Sequence, residues 1–247
     1  MKKKNNSLSI IIPVLNEEKN LEILTKKIYQ NKKNLKKEII IVDDNSKDNS
    51  MLILKKLKKK YKNFQYFTRK KKNDLTQSCF LGIKKSKYNN ILIMDGDGQH
   101  NPIYIQRMLK LFLRNKTDFV IGVRRFNKIE ESLSLIRFFA SKFLIYLIDY
   151  LFTYKTMDPM SGYFIFKKSF YIKNKRFLFG KGYKILLDLI YSTPGKIKII
   201  DYKIKFVIRK KGKSKMGFKI LILLISFIIR KILINLKINF LKTPLKF

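Results

Sequence analysis

Two aspartates, Asp95 and Asp97, stand two residues apart in the stretch NILIMDGDGQHNP (90–102), directly after an apolar run and just ahead of Gln99. The chain holds 17 Asp and Glu against 56 Lys and Arg, so acid this scarce and this closely placed suggests a task. In extended backbone, residues i and i+2 point the same way, about 7 Å apart. Both carboxylates can therefore face one site, with Gln99 following at the strand exit. Gly96 and Gly98 let the backbone approach a ligand and turn sharply. Hard oxygen ligands of this kind suit Mg2+ or Mn2+ sharing substrate phosphates, whereas two carboxylates without His or Cys do not suit zinc. The competing reading is a surface turn, because Asp-Gly pairs are common turn formers. Placement after a buried strand, opposite a second acidic strand end at Asp43-Asp44, strengthens the ligand site.

The elements that must hold these residues alternate along the chain. LSIIIPVL, EIIIVDD, FQYFT, NILIMD and DFVIGVR read as strands. NEEKNLEILTKKIYQ reads as a helix capped by Asn16, with Leu21, Leu24 and Ile28 as its apolar stripe. Further helices are expected after SKDN, over 74–87, and over NPIYIQRMLKLFLRN with Pro102 near its first position. The runs near 10–14, 39–42 and 91–94 are continuously apolar, as parallel strands covered on both faces are. The pattern predicts an α/β fold with a mostly parallel sheet and a site beyond the strand carboxyl ends. Asn16-Glu17, Asp43-Asp44-Asn45-Ser46, Asp95–Gln99 and Arg124-Arg125 should then converge on one rim. Beyond residue 130, DPMSGYFIFKK reads as a turn and short strand, and GYKILLDLIYS as a helix. IKIIDYKIKFVIR reads as a strand pair or one long strand. Residues 132–154 read either as a buried helix or as one lying at a membrane interface, and 218–240 as an amphipathic helix suited to anionic lipid.

The length suits one domain, or one domain with an appendage. The formal net charge of +39 reflects either many solvated lysines or attraction to a polyanion such as nucleic acid, anionic lipid or a phosphorylated substrate. One cysteine, Cys79, excludes an intramolecular disulfide and is expected in the core. The opening MKKKNNSLSIIIPVLNEE is expected to be a first strand rather than a signal peptide, since Pro13 interrupts the apolar run and no small-residue cleavage site follows. No run reaches the length needed to span a bilayer. The longest, Ile220–Ile229, is stopped by Arg230-Lys231.

Seven segments taken in order, IIPVLNEEKN, IIIVDDNSKDNS, ILIMDGDGQHNP, VIGVRR, DPMSGYFIFKK, GYKILLDLI and RKKGKSKMG, resemble the family 2 glycosyltransferases of the GT-A fold. Within that family they are similar to the dolichol-phosphate (polyprenyl-phosphate) mannosyltransferase group. The resemblance runs from about residue 8 to 217. It implies a catalytic domain over 1–216, with 132–154 as an interface helix, and a membrane-associating tail over 217–247. It implies a nucleoside-diphosphate sugar donor, GDP- or UDP-hexose, and a polyprenyl phosphate acceptor. Pro13, Leu15 and Glu17 would line the nucleoside pocket, and Val42 and Asp44 would contact base and ribose. Asp95, Gly96 and Asp97 would meet ribose and diphosphate, with the metal on Asp95, Asp97 and Gln99. Arg124, Lys184, Arg209 and Lys215 would supply positive charge to the donor and acceptor phosphates.

The acceptor dictates the mechanism. A lipid phosphate is already anionic at neutral pH, so no strong general base is needed. The task is to relieve repulsion between phosphates, hold the leaving nucleoside diphosphate and align an inverting attack. His100 is expected to support or cap rather than to react. Trp is absent, which argues against the processive synthases of the same family. The chain departs from the family in three places: KKNDLTQSCFLGI replaces a Gly-Leu-Gly stretch, Leu15 stands where an aromatic is common, and Gly98 where Leu is frequent. Two other functions stay open. A glycan acceptor would need an acid or base, for which Asp158 and Asp188 are the candidates. Nucleic-acid binding fits the net charge but has no helix-turn-helix, RNP or zinc pattern behind it, so the expectation is no nucleic acid. The expected location is peripheral, at the cytoplasmic face of an anionic membrane, with room for a membrane-protein partner.

Overall fold

Strands with no polar alternation must be covered on both faces, and the computed structural model shows how; it describes residues 6–31, 35–124, 156–182 and 184–205. Seven strands form one sheet: β1 (Leu8–Val14), β2 (Lys37–Asp43), β3 (Phe64–Thr68), β4 (Asn90–Ile93), β5 (Phe119–Arg124), β6 (Phe164–Lys167) and β7 (Ile199–Ile204). Their spatial order is β3-β2-β1-β4-β6-β5-β7. β6 runs antiparallel to β4 and β5, and the other pairings are parallel.

The helices are α1 (Glu18–Gln30), α2 (Ser50–Lys60), α3 (Leu75–Lys85), α4 (Ile105–Asn115), α5 (Lys168–Asn174) and α6 (Ile185–Tyr191). Side chains alternate across the sheet, as the strand period requires. Ile10 and Ile12 of β1 join Ile39 and Ile41 of β2 in a core with Leu21, Leu24 and Ile28 of α1, Leu54 of α2 and Met108 of α4. Ile11, Ile40 and Val42 point the other way, into a core with Cys79 and Ile83 of α3 and Leu186 and Leu189 of α6. Cys79 is thus a buried free thiol, as expected.

Gly82 lets α3 lie close on β1. A Cβ there would come within 2.4 Å of Ile11 Cγ2. Gly82→Ala is therefore expected to destabilise the fold by about 1–3 kcal/mol through overpacking, read as a lower denaturant midpoint at unchanged slope.

Two local expectations need correction, and a third element lies close to its expected bounds. Asn16 does not cap α1: it takes a left-handed φ of 52°, and Glu17 occupies the cap position without a side-chain cap bond. Pro102 opens a separate 3-10 turn (Pro102–Tyr104), capped by Asn101 Oδ1 accepting from Ile103 N at 3.0 Å, and α4 follows it. The 74–87 helix spans Leu75–Lys85, with Asp74 as its cap. The interface-helix segment 132–154, the tail 218–240 and the site candidates Arg209 and Lys215 lie outside the described residues.

Candidate functional site

The carboxyl ends of β1, β2, β4 and β5 form one rim, and the antiparallel β6 adds its beginning to it. On one side, the segments after β1 and β2 are laced together. Asn16 N donates to Ser46 Oγ at 2.8 Å, and Asn16 Oδ1 accepts from Lys47 N at 2.7 Å. Glu18 N donates to Asp48 Oδ2 at 3.0 Å, and Asn49 N to Glu18 Oε2 at 2.9 Å. Glu17, mostly buried, accepts from Asn20 Nδ2 at 2.8 Å, and its own N donates to Ser50 Oγ at 3.2 Å. The left-handed turn at Asn16 is what aims its amide group at the second loop.

The residues expected on the nucleoside pocket divide. Leu15 is partly exposed at the rim. Pro13 is buried, and Val42 has no exposed surface, lying in the core beside Gly82. The Val42 side chain on that face is covered by α3, which leaves its backbone to meet a base. Asp44 is 4% exposed and its carboxylate is already engaged. Arg69 pairs with Oδ1, and Asp74 N donates to Oδ2 at 2.6 Å. Both Asp44 oxygens thus already hold a partner at the end of β2.

The centre of the rim is Asp95. Its Oδ2 lies 3.2 Å from Nε2 of His100, a ring that is 3% exposed and packs at 5.0 Å on Tyr163. The β4–β6 register pairs Ile93 with Phe164. Continuing it two residues sets Asp95 against Gly162, where an added Cβ would fall 2.1 Å from Asp95 Oδ2. Gly96 is equally tight: a Cβ would meet Val14 Cγ1 at 2.6 Å. Asp97 Oδ1 accepts from Gln99 N at 3.1 Å, so the turn carrying both residues is held by the acid itself. Gly98 has φ 78°, a conformation that a Leu would resist, which accounts locally for that departure from the family pattern.

The cations come from the far side. Arg124 Nε donates to Asp158 Oδ2 at 2.9 Å, and the Arg124 side chain stays 38% exposed at the rim. Lys184 lies close enough to Asp95, Arg124 and Asp158 to feel all three charges. Burial pushes the Asp95 carboxyl up, but the hydrogen bond and charge of His100, with Lys184 and Arg124, outweigh it and hold the group below its usual value. Burial lowers Lys184, and Arg124 adds to that effect, while Asp95 and Asp158 oppose it. Asp158 is thus committed to an ion pair. Asp188 accepts from Phe179 N at 2.8 Å, Gly180 N at 2.7 Å and Ser192 Oγ. Both of these acids, the candidates for a glycan acceptor, are buried and hydrogen-bonded.

Among the described residues, no three His, Cys, Asp or Glu side chains converge as a self-sufficient metal cage would require. Two carboxylates and an amide oxygen instead suit a hard cation that keeps waters and completes its shell on a phosphorylated ligand, so the donor set fits Mg2+ or Mn2+. His100, expected to support or cap, lies against Asp95. Three other contributors had little or no sequence signal: Gly162 was marked only by the Ser-Gly of DPMSGYF. Arg69 and Asp74 were hidden in the segment that departs from the family.

Comparison with known proteins agrees with this architecture. The family description "Glycosyl transferase family 2" matches residues 9–174. An uncharacterized protein of Methanocaldococcus jannaschii is 33% identical over 185 residues, 71% of this chain and 76% of that protein. A dolichol-phosphate mannosyltransferase of Pyrococcus furiosus is 30% identical over 218 residues, 86% of this chain, and one of Mycosarcoma maydis is 29% identical over 163, 64% of this chain. This chain spans 60% and 54% of the lengths of those two mannosyltransferases. Among solved structures, glucosyl-3-phosphoglycerate synthase of Mycobacterium tuberculosis with Mn2+, uridine diphosphate and glucosyl-3-phosphoglycerate superposes with a TM-score of 0.66 at 16% identity. The match covers 92% of this chain and 79% of that one. The same enzyme with Mg2+ and uridine diphosphate gives 0.62, over 84% and 73%. At that identity the likeness shows the GT-A fold alone. Together with the family match across two thirds of the sequence, the rim of strand ends around Asp95 and Asp97 belongs to a glycosyltransferase: this chain is a member of glycosyl transferase family 2.

Proposed function

We propose that the protein transfers a hexose from a nucleoside-diphosphate sugar to a polyprenyl phosphate, with inversion, at an anionic membrane surface on its cytoplasmic face. The observation that carries this is the arrangement around Asp95. The Asp95 carboxylate stands among two cations, Arg124 and Lys184, and the nearby Asp158 is buried and paired with Arg124. A hydroxyl acceptor needs its proton removed; a phosphate acceptor needs its charge accommodated. The rim is equipped for the second task.

In this reading Asp97 and Gln99, with Asp95, hold Mg2+ or Mn2+, which when bound neutralises the diphosphate of the donor. Glu17 and Leu15 border the nucleoside, with Pro13, Val42 and Asp44 forming the wall behind it. Gly96 lets the backbone approach the diphosphate. His100 and Gly162 fix the Asp95 carboxylate. Arg124 and Lys184 face the phosphates, joined from the 206–217 segment by Arg209 and Lys215. The names of the curated relatives support a polyprenyl phosphate acceptor. Contact with the bilayer falls to 132–154 and to the tail from 217. Among the described residues no helix is long and apolar enough to cross a membrane.

The test is incubation with Mn2+ and labelled GDP- or UDP-hexoses in the presence of polyprenyl phosphate, followed by extraction into organic solvent. Label is expected in the organic phase only when the lipid phosphate is present. Label that stays wholly in a water-soluble saccharide would replace the lipid acceptor with a glycan.

A further inference from the structure

The segment in which this chain departs from its family links the two halves of the rim through one residue. Asp74 N donates to Asp44 Oδ2 at 2.6 Å, and Asp74 O accepts from Arg69 Nη1 at 3.1 Å. Arg69 also pairs with Asp44. These bonds tie Asp74 to the end of β2. Its carboxylate works in the opposite direction. Oδ1 caps α3 by accepting from Gln77 N at 3.0 Å, and Oδ2 accepts from Gly182 N at 2.8 Å, 108 residues away in sequence. The clamp on that distant segment has two more members. Thr76 N donates to Gly182 O at 2.9 Å, and Gln77 Nε2 donates to Gly180 O. Gly180 and Gly182 have φ of 72° and 98°, so the backbone turns twice in a left-handed region before it reaches Lys184. Without such ties, a glycine-rich turn would leave the lysine's position to many conformers.

We propose that Asp74 is a positioning residue: it anchors the nucleoside wall at Asp44 and, through Gly182, sets where Lys184 stands beside Asp95. What Lys184 does there rests on the function proposed above; where it sits does not.

The substitution that isolates the proposal is Asp74→Ser. A serine hydroxyl still caps Gln77 N, and the backbone bond to Asp44 remains, but the shorter side chain cannot also hold Gly182. Four quantities are measured on the full chain: hydrogen exchange over 180–185, the acylation rate of Lys184 by an amine reagent, affinity for UDP or GDP with Mn2+, and the turnover rate. Expected are exchange at Gly182 at least about tenfold faster and Lys184 labelling several-fold faster. Nucleoside diphosphate affinity should stay within about threefold while kcat drops about tenfold or more, a loss of alignment rather than of donor binding. Gln77→Met, at an exposed position, removes the neighbouring bond to Gly180 and should shift exchange and labelling the same way by less, which guards against a folding defect at Asp74. Unchanged exchange and labelling in both variants overturns the proposal, whatever the kinetics. Should the wild type bind no nucleoside diphosphate, the transferase reading falls, and exchange and labelling still decide the role of Asp74.

Discussion

Asp97→Ala is expected to lower transfer by about 10³-fold, a loss of about 4 kcal/mol of transition-state stabilisation, and to abolish the Mn2+-dependent part of nucleoside diphosphate binding. The reasoning begins with the donor set. No third acid joins Asp95 and Asp97 among the described residues, so removing one carboxylate removes half of the available negative charge. The fold should tolerate the change, because the bond to Gln99 N that holds the turn is worth about 1 kcal/mol. Asp97→Asn separates charge from geometry. It keeps an oxygen for Gln99 N but not the negative charge, and it should be nearly as inactive as the alanine variant. Calorimetric titration of UDP and GDP with and without Mn2+ gives the binding arm, and circular dichroism gives the folding control. An alanine variant that binds in Mn2+ as tightly as the wild type would remove Asp97 from the metal site.

Gly162→Ala is the second large effect, and it comes from a position with no functional group at all. The new methyl carbon would stand 2.1 Å from Asp95 Oδ2 and 2.4 Å from both Cγ and Oδ1, distances at which something must move. Gly162 lies two residues ahead of β6, between neighbours held by Gly122 N to Tyr163 O at 2.8 Å and Ser161 Oγ to Gly122 O at 2.7 Å, so the backbone resists. The Asp95 carboxylate is the part that can rotate, and rotation takes it off His100 Nε2. A displacement of about 1 Å in a reacting array costs about 10²-fold, so kcat/KM should fall by about that factor while the thermal midpoint drops only a few degrees. His100→Phe is expected to give a milder loss, since it keeps the packing on Tyr163 while removing the contact to Asp95. Activity within twofold of wild type in Gly162→Ala would show that the Asp95 orientation does not matter to the reaction.

Several features of the molecule follow from the sequence alone, because they depend on neighbours within a few residues. The apolar runs of β1, β2 and β4 need cover on both faces wherever they are placed, and that requirement forces a sheet between two helical layers. Parallel order then brings Glu17, Asp44, Asp95 and Arg124 to one edge, since each ends its strand or follows it within three residues. The left-handed turn at Asn16 escaped notice because an Asn ahead of two acids is an equally good helix cap on local grounds. Only the Ser46 and Lys47 backbone across the rim selects the turn.

What the tertiary structure alone decided is the company these residues keep. The direction of β6 is not written in FIFK, a four-residue strand that pairs equally well either way. Running it antiparallel between β4 and β5 is what delivers Gly162 to Asp95 and Asp158 to Arg124. Asp74 meets Gly182 for the same kind of reason, across a separation no local pattern encodes. Composition and periodicity determined which side chains could carry the chemistry. Long-range pairing, set by how two cores close on one sheet, determined which carboxylates stay open to a ligand and which are already spoken for.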